Sequence, residues 1–139
     1  MSEQSSRHHA DAWRWLLYAR QDLAAAKLLL GSREEVVPRQ ACWLAQQAAE
    51  KALKAALVMA QVDFPKTHNL NVLRNLLPPA SSARREPPDL AELTVWAIEA
   101  RYPGDWPEAT SAQAAVALQQ AHTIVEAVQA DLGSETESP

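Results

Sequence analysis

The chain has 139 residues, a formal net charge of −4, 47% apolar residues, 3 glycines and one cysteine, Cys42. Length and apolar content suit one folded domain with a real core. The acidic balance argues against general coating of nucleic acid, and a single cysteine excludes an intrachain disulfide and speaks against an all-cysteine metal site.

Residues 1–10 are polar and read as a disordered tail, in which the pair His8 and His9 is a poor metal site. No N-terminal apolar run resembles a signal peptide, and no stretch is long and apolar enough to span a membrane, so a cytoplasmic protein is expected. A first helix is predicted from about Asp11 to Leu30. Asp11 is placed as its N-cap, Gly31 as its stop, and Trp13, Leu16, Leu23, Ala26 and Leu30 form its buried stripe. A short charged loop leads to a second helix, from about Pro38 to Ala60, which should lie antiparallel to the first. Its stripe is Cys42, Ala45, Ala49, Leu53, Ala56 and Ala60, small side chains that let a neighbouring helix come close.

The run VDFPKTHNL breaks that helix. A short third helix follows, from Asn69 to Leu77, with Leu70, Leu73 and Leu77 inward. Residues 78–88, PPASSARREPP, read as a mobile proline-rich loop. A fourth helix starts near Asp89, carries Leu90, Leu93, Ala97 and Ala100 inward, and ends at Tyr102 before Pro103 and Gly104. Thr110 and Gln113 have the spacing of a capping box for the last helix, whose inner stripe is Ala114, Ala117, Ala121, Ile124, Val128 and Leu132. Residues 133–139 read as a second disordered tail. The fold class is therefore all-α: an up-and-down bundle of four main helices plus a short helix over residues 11–132.

Chemistry concentrates in three places. On the second helix, Gln47, Glu50, Lys51 and Lys54 share one side at spacings of three and four. That face reads either as solvated, with an ion pair between Glu50 and Lys54, or as a phosphate-binding face offering two lysines. The loop Lys66, Thr67, His68 precedes a short helix that Thr67 or His68 is placed to cap. Arg101 and Tyr102 end the fourth helix; the guanidinium there suits phosphate or carboxylate, or an ion pair with Asp105 or Glu99. The sequence offers no metal-ligand spacing, no nucleophile with a histidine close by, and no glycine-rich phosphate loop, so no catalytic or metal residue is assigned and no cofactor is expected. Trp43, Trp96 and Trp106 are more tryptophan than one small core needs, which points to an interface.

Taken in order, AQQAAEKALKAAL, KTHNL and ARYPGDWPEAT, the last opening into an alanine-rich helix, resemble the HEPN domain family over roughly residues 11–132. The resemblance implies a helical bundle, a homodimer, and a complex with a minimal nucleotidyltransferase, often as a toxin–antitoxin pair. It also implies nucleotide binding. Gln47, Lys51 and Lys54 match the family's Q-x-x-E-K-x-x-K helix, Lys66, Thr67 and His68 its K-T-H loop, and Arg101 and Tyr102 its R-Y-P turn. A branch of the family comprises metal-independent ribonucleases with a histidine four to six residues after an arginine. Here the next histidine after Arg101 is His122, so a ribonuclease is the alternative reading and a purely structural homodimeric module the third.

Overall fold

The computed structural model describes residues 3–32, 37–97 and 108–137. Regular structure among them is wholly helical: α1 (Glu3–Leu30), α2 (Val37–Met59), α3 (Leu70–Asn75), α4 (Ala91–Val95) and α5 (Ser111–Glu137), with a 3-10 turn at Ser82–Arg84. The fold class is the all-α one that the periodicity predicts.

Helix α2 is the centre of the bundle and packs against both α1 and α5. Its composition explains that position. Ala41, Ala45, Ala48, Ala49, Ala52, Ala55 and Ala56 are all buried, so backbones approach α2 on more than one side. Leu53 and Leu57 supply the bulk between them, each fully enclosed. Lys51 reaches Asp22 of α1, whereas Lys54, further along α2, lies over Trp15, earlier in α1. The two helices are therefore antiparallel, as the short connection between them requires. The last turns of α2 and α5 line one cleft, through Met59 and Leu132, so these helices end on the same side of the bundle.

The local signals of α5 hold in detail. The Thr110 backbone N–H donates to Gln113 Oε1 at 3.0 Å, and the Gln113 N–H donates to Thr110 Oγ1 at 3.1 Å, a reciprocal capping box. All six expected inner residues, Ala114 through Leu132, are buried.

Several boundaries differ from expectation. Helix α1 begins at Glu3 rather than near Asp11. No glycine or proline lies between them, and once a helix is nucleated each further residue adds a bond. Helix α5 likewise continues through Gly133 to Glu137. The described residues of both terminal segments are thus helical. Ala60, expected inward, is exposed because α2 stops at Met59. Trp13 and Leu30 are only partly buried at the edge of the core. Asn69, not Thr67 or His68, caps α3: its side chain accepts from the N–H groups of Asn71 and Val72.

The loop expected to be mobile is tied down. Asp131 of α5 accepts from the Ser82 N–H at 2.7 Å and from Ser82 Oγ at 2.6 Å. Arg84 donates to the carbonyls of Asn75 and Leu77. The buried Arg74 donates to the carbonyls of Pro87 and Pro88 and to Asn71 Oδ1. The expected end of the fourth helix, with Ala100, Arg101 and Tyr102, lies outside the described residues.

Candidate functional site

Glu50 is only 4% exposed and is the hub of the polar face of α2. Its Oε2 accepts from Lys54 Nζ at 3.1 Å, and its Oε1 accepts from Gln46 Nε2 at 3.2 Å. The Nδ1 of His68 lies 2.7 Å from the same Oε1. Burial pushes the Glu50 carboxyl up, but the hydrogen bonds from His68, Gln46 and Lys54, with the charge of Lys54, outweigh burial and hold it below the ordinary carboxylate range. Glu50 is therefore ionised near neutrality and can only accept. Nδ1 of His68 must carry the proton in this contact, which leaves Nε2 as the outward nitrogen of a ring whose side chain is 56% exposed.

Gln46 is fully buried and fixes the loop from beneath. Its Nε2 also donates to the backbone carbonyl of His68 at 3.2 Å, while its Oε1 accepts from Gln47 Nε2 at 2.7 Å. The amide nitrogen thus faces two acceptors and the amide oxygen a donor, so every polar atom of Gln46 is used.

The two lysines of the expected phosphate face are both engaged. Lys51 pairs with Asp22 at 2.5 Å, joining α2 to α1. Lys54 pairs with Glu50, and its ammonium lies 5.5 Å from the Trp15 ring centroid and 5.9 Å from that of Phe64. Two aromatic faces and a carboxylate compensate a cation that is mostly withdrawn from water. Each lysine charge is matched by an acid, so the face is not a simple positive patch. Thr67 Oγ1 accepts from the Asn69 N–H at 3.1 Å, which shapes the turn into α3, and Lys66 is exposed beside it.

Of the expected site residues, the fold brings Gln47, Lys54 and His68 into one network around Glu50, with Lys51 on the same helix face and Lys66 and Thr67 in the same loop. Arg101 and Tyr102 lie outside the described residues. Sequence reasoning missed Gln46 and took Glu50 as half of a solvated ion pair. The available signal was spacing: Gln46, Glu50, Leu53 and Leu57 follow one another at four, three and four residues, so the two polar residues share a line with buried leucines. Cys42 offers no nucleophile, since burial pushes its thiol up to about 11 and keeps it protonated at neutral pH.

Among the described residues no helix is long and apolar enough to cross a membrane. The family profile of the HEPN domain matches residues 12–131. Among solved structures, the crystal structure of TT1696 from Thermus thermophilus is similar, with a TM-score of 0.68 and 32% identity, covering 85% of this chain and 95% of that one. No curated protein matches significantly.

Proposed function

The chain belongs to the HEPN family, and from that premise we propose that it is a helical binding module that takes a nucleotide at the face where Glu50 holds His68, alone or in complex with a nucleotidyltransferase. The observation that carries this reading is the 2.7 Å contact between a buried carboxylate and a half-exposed imidazole. A ring held in place loses little freedom when it meets a ligand. Lys66 offers donors to a phosphate from the loop, as does Nε2 of His68 in the imidazolium form, and Gln47 and Lys51 lie on the α2 face. Lys54 acts with Glu50 as support, because its ammonium is held between that carboxylate and the rings of Trp15 and Phe64. Arg101 and Tyr102 complete the phosphate contacts in this reading, on the strength of the R-Y-P turn.

Titration of adenosine 5′-monophosphate by calorimetry tests it. Binding lost in His68→Ala and in the pair Lys51→Ala with Arg101→Ala, with helicity retained, is the expected result. Equal affinity in parent and variants overturns the assignment. A pull-down from the native cell tests the partner, with a stoichiometric nucleotidyltransferase expected. The reading extends to a toxin–antitoxin pair with that enzyme, checked by growth on expressing each protein alone.

Homodimerisation is part of the same proposal. Leu17, Tyr18 and Leu28 on α1 and Trp43 on α2 are exposed apolar side chains, of the kind that interfaces cover. Light scattering of the parent and of Leu28→Asp with Trp43→Asp checks it, the variant being expected to run as a monomer.

One observation favours a second reading, metal-independent RNA cleavage: a carboxylate on Nδ1 prepares Nε2 as a general base. RNA left intact by partner-free protein removes that reading.

A further inference from the structure

Beyond Lys54, the Glu50–His68 network leads to a cleft that it does not use. It has a volume of about 540 Å³ and is lined by His8 of α1, Val58 of α2, and Gln61, Val62, Asp63 and Phe64 of the connection to α3. Phe64 links the two regions, since its ring faces the ammonium of Lys54, which binds Glu50.

Two features mark this cleft. Nδ1 of His8 is shut from solvent and has no hydrogen-bond partner among the described residues. A buried polar atom without a partner is costly, and native structures rarely keep one without reason. Gln61 has φ 58°, the left-handed region. It closes α2: its N–H donates to the Val58 carbonyl, and the Val62 N–H to the Leu57 carbonyl, both at 3.0 Å. Glycine normally fills this closing position, because any side chain there is strained. Here an amide side chain is held in the strained place, on the wall of the cleft, and such outliers cluster at ligand sites.

The chemistry of the walls narrows the ligand. No lysine or arginine lines the cleft, so a phosphate has nothing to meet there. Three apolar side chains, one of them aromatic, suit a flat ring. The Asp63 carboxylate accepts hydrogen bonds, and the Gln61 amide both donates and accepts. A planar heterocycle bearing an amino group satisfies this set. Resting on the nucleotide reading above, we infer that the cleft takes the nucleobase of that nucleotide, an amino-bearing base stacked on Phe64 with its amine toward Asp63. The phosphates then lie toward Lys66 and His68, on the same connecting segment.

The test uses the full chain and separates base from phosphate: adenosine, uridine and adenosine 5′-monophosphate are titrated by calorimetry. Adenosine should bind the parent and bind more tightly than uridine, which lacks the amine. Phe64→Ala should weaken adenosine by about tenfold or more, the scale of base–aromatic stacking. Asp63→Ala changes an exposed residue and keeps the proposal testable if Phe64→Ala fails to fold; it should remove the preference over uridine. Adenosine that does not bind, or binds both variants as it binds the parent, overturns the base cleft. If the monophosphate still binds and needs His68, the phosphate face survives that result. If adenosine behaves as expected and the monophosphate binds no tighter, the cleft stands and the phosphate face falls.

Discussion

Two buried charges pin two loops to the same bundle, and they do so differently. Arg74 is enclosed beneath the segment 86–89 and gives its protons to the carbonyls of Pro87 and Pro88 and to Asn71. Its hydrogen-bond partners are neutral, and none of them titrates. Glu50 is as deeply buried, but it holds a lysine, an amide and the half-exposed ring of His68. One arrangement ends in backbone; the other ends in a reactive group facing water. A buried charge closed off by carbonyls is a structural clamp, whereas one that presents an imidazole is a support for chemistry at its outer edge.

The comparison is broken most directly by deleting each charge. Glu50→Ala strands the Lys54 ammonium without its acid and should destabilise by about 3 kcal/mol in denaturant unfolding, in the range for splitting a buried pair. Arg74→Ala removes the charge along with its hydrogen bonds and frees carbonyls that water can reach. About 2 kcal/mol is expected, with nucleotide affinity unchanged. An Arg74→Ala protein that folds but loses the nucleotide would end the distinction between clamp and site.

Acidity sharpens it. Glu50 has a depressed pKa in the fold, relative to an ordinary value of 4.5. Its stabilising contribution is therefore full above that value and is lost as pH falls through the lower folded pKa. The parent should lose thermal stability on acidification below about pH 4.5, and Glu50→Gln should flatten that loss, read from melting curves between about pH 6 and pH 3. Asp89, beside Arg74, is also held low, by its hydrogen bonds from Asn71 and the Ala91 N–H. Asp89→Asn is the matching control on the clamp side.

His68→Ala should move stability by only about 1 kcal/mol, because the ring is half exposed and Glu50 keeps its other donors. Its effect belongs to affinity. The smallest change is Gln61→Gly, which relieves the left-handed backbone and should stabilise by roughly 0.5 kcal/mol after the entropy of glycine is set against the strain. The same variant should bind adenosine less well, so stability and affinity would move in opposite directions.

Local patterns carried most of the fold. The stripe on α5 and the box between Thr110 and Gln113 depend on residues within a turn or two of each other, and such neighbours meet however the rest of the chain packs. The ends of α1 and α2 were harder. A start signal such as Asp11 is weak beside the gain of one more helical bond, and α2 stops one residue short of Ala60, where the chain turns at Gln61. The candidate site was half legible: spacing put Gln47, Glu50, Lys51 and Lys54 on one side of a helix, and the family motifs singled out His68.

The sequence by itself determined the three long helices, most of their inward faces and the antiparallel start, because each rests on periodicity and short connections. Only the tertiary structure decided that Glu50 is a buried hub, that Lys51 is already paired with another helix, and that the proline-rich loop is clamped. Those outcomes depend on partners far along the chain, His68 for Glu50, Asp22 for Lys51 and Asp131 for Ser82. A charge is solvated or compensated according to what packs over it, and one helix face cannot tell which.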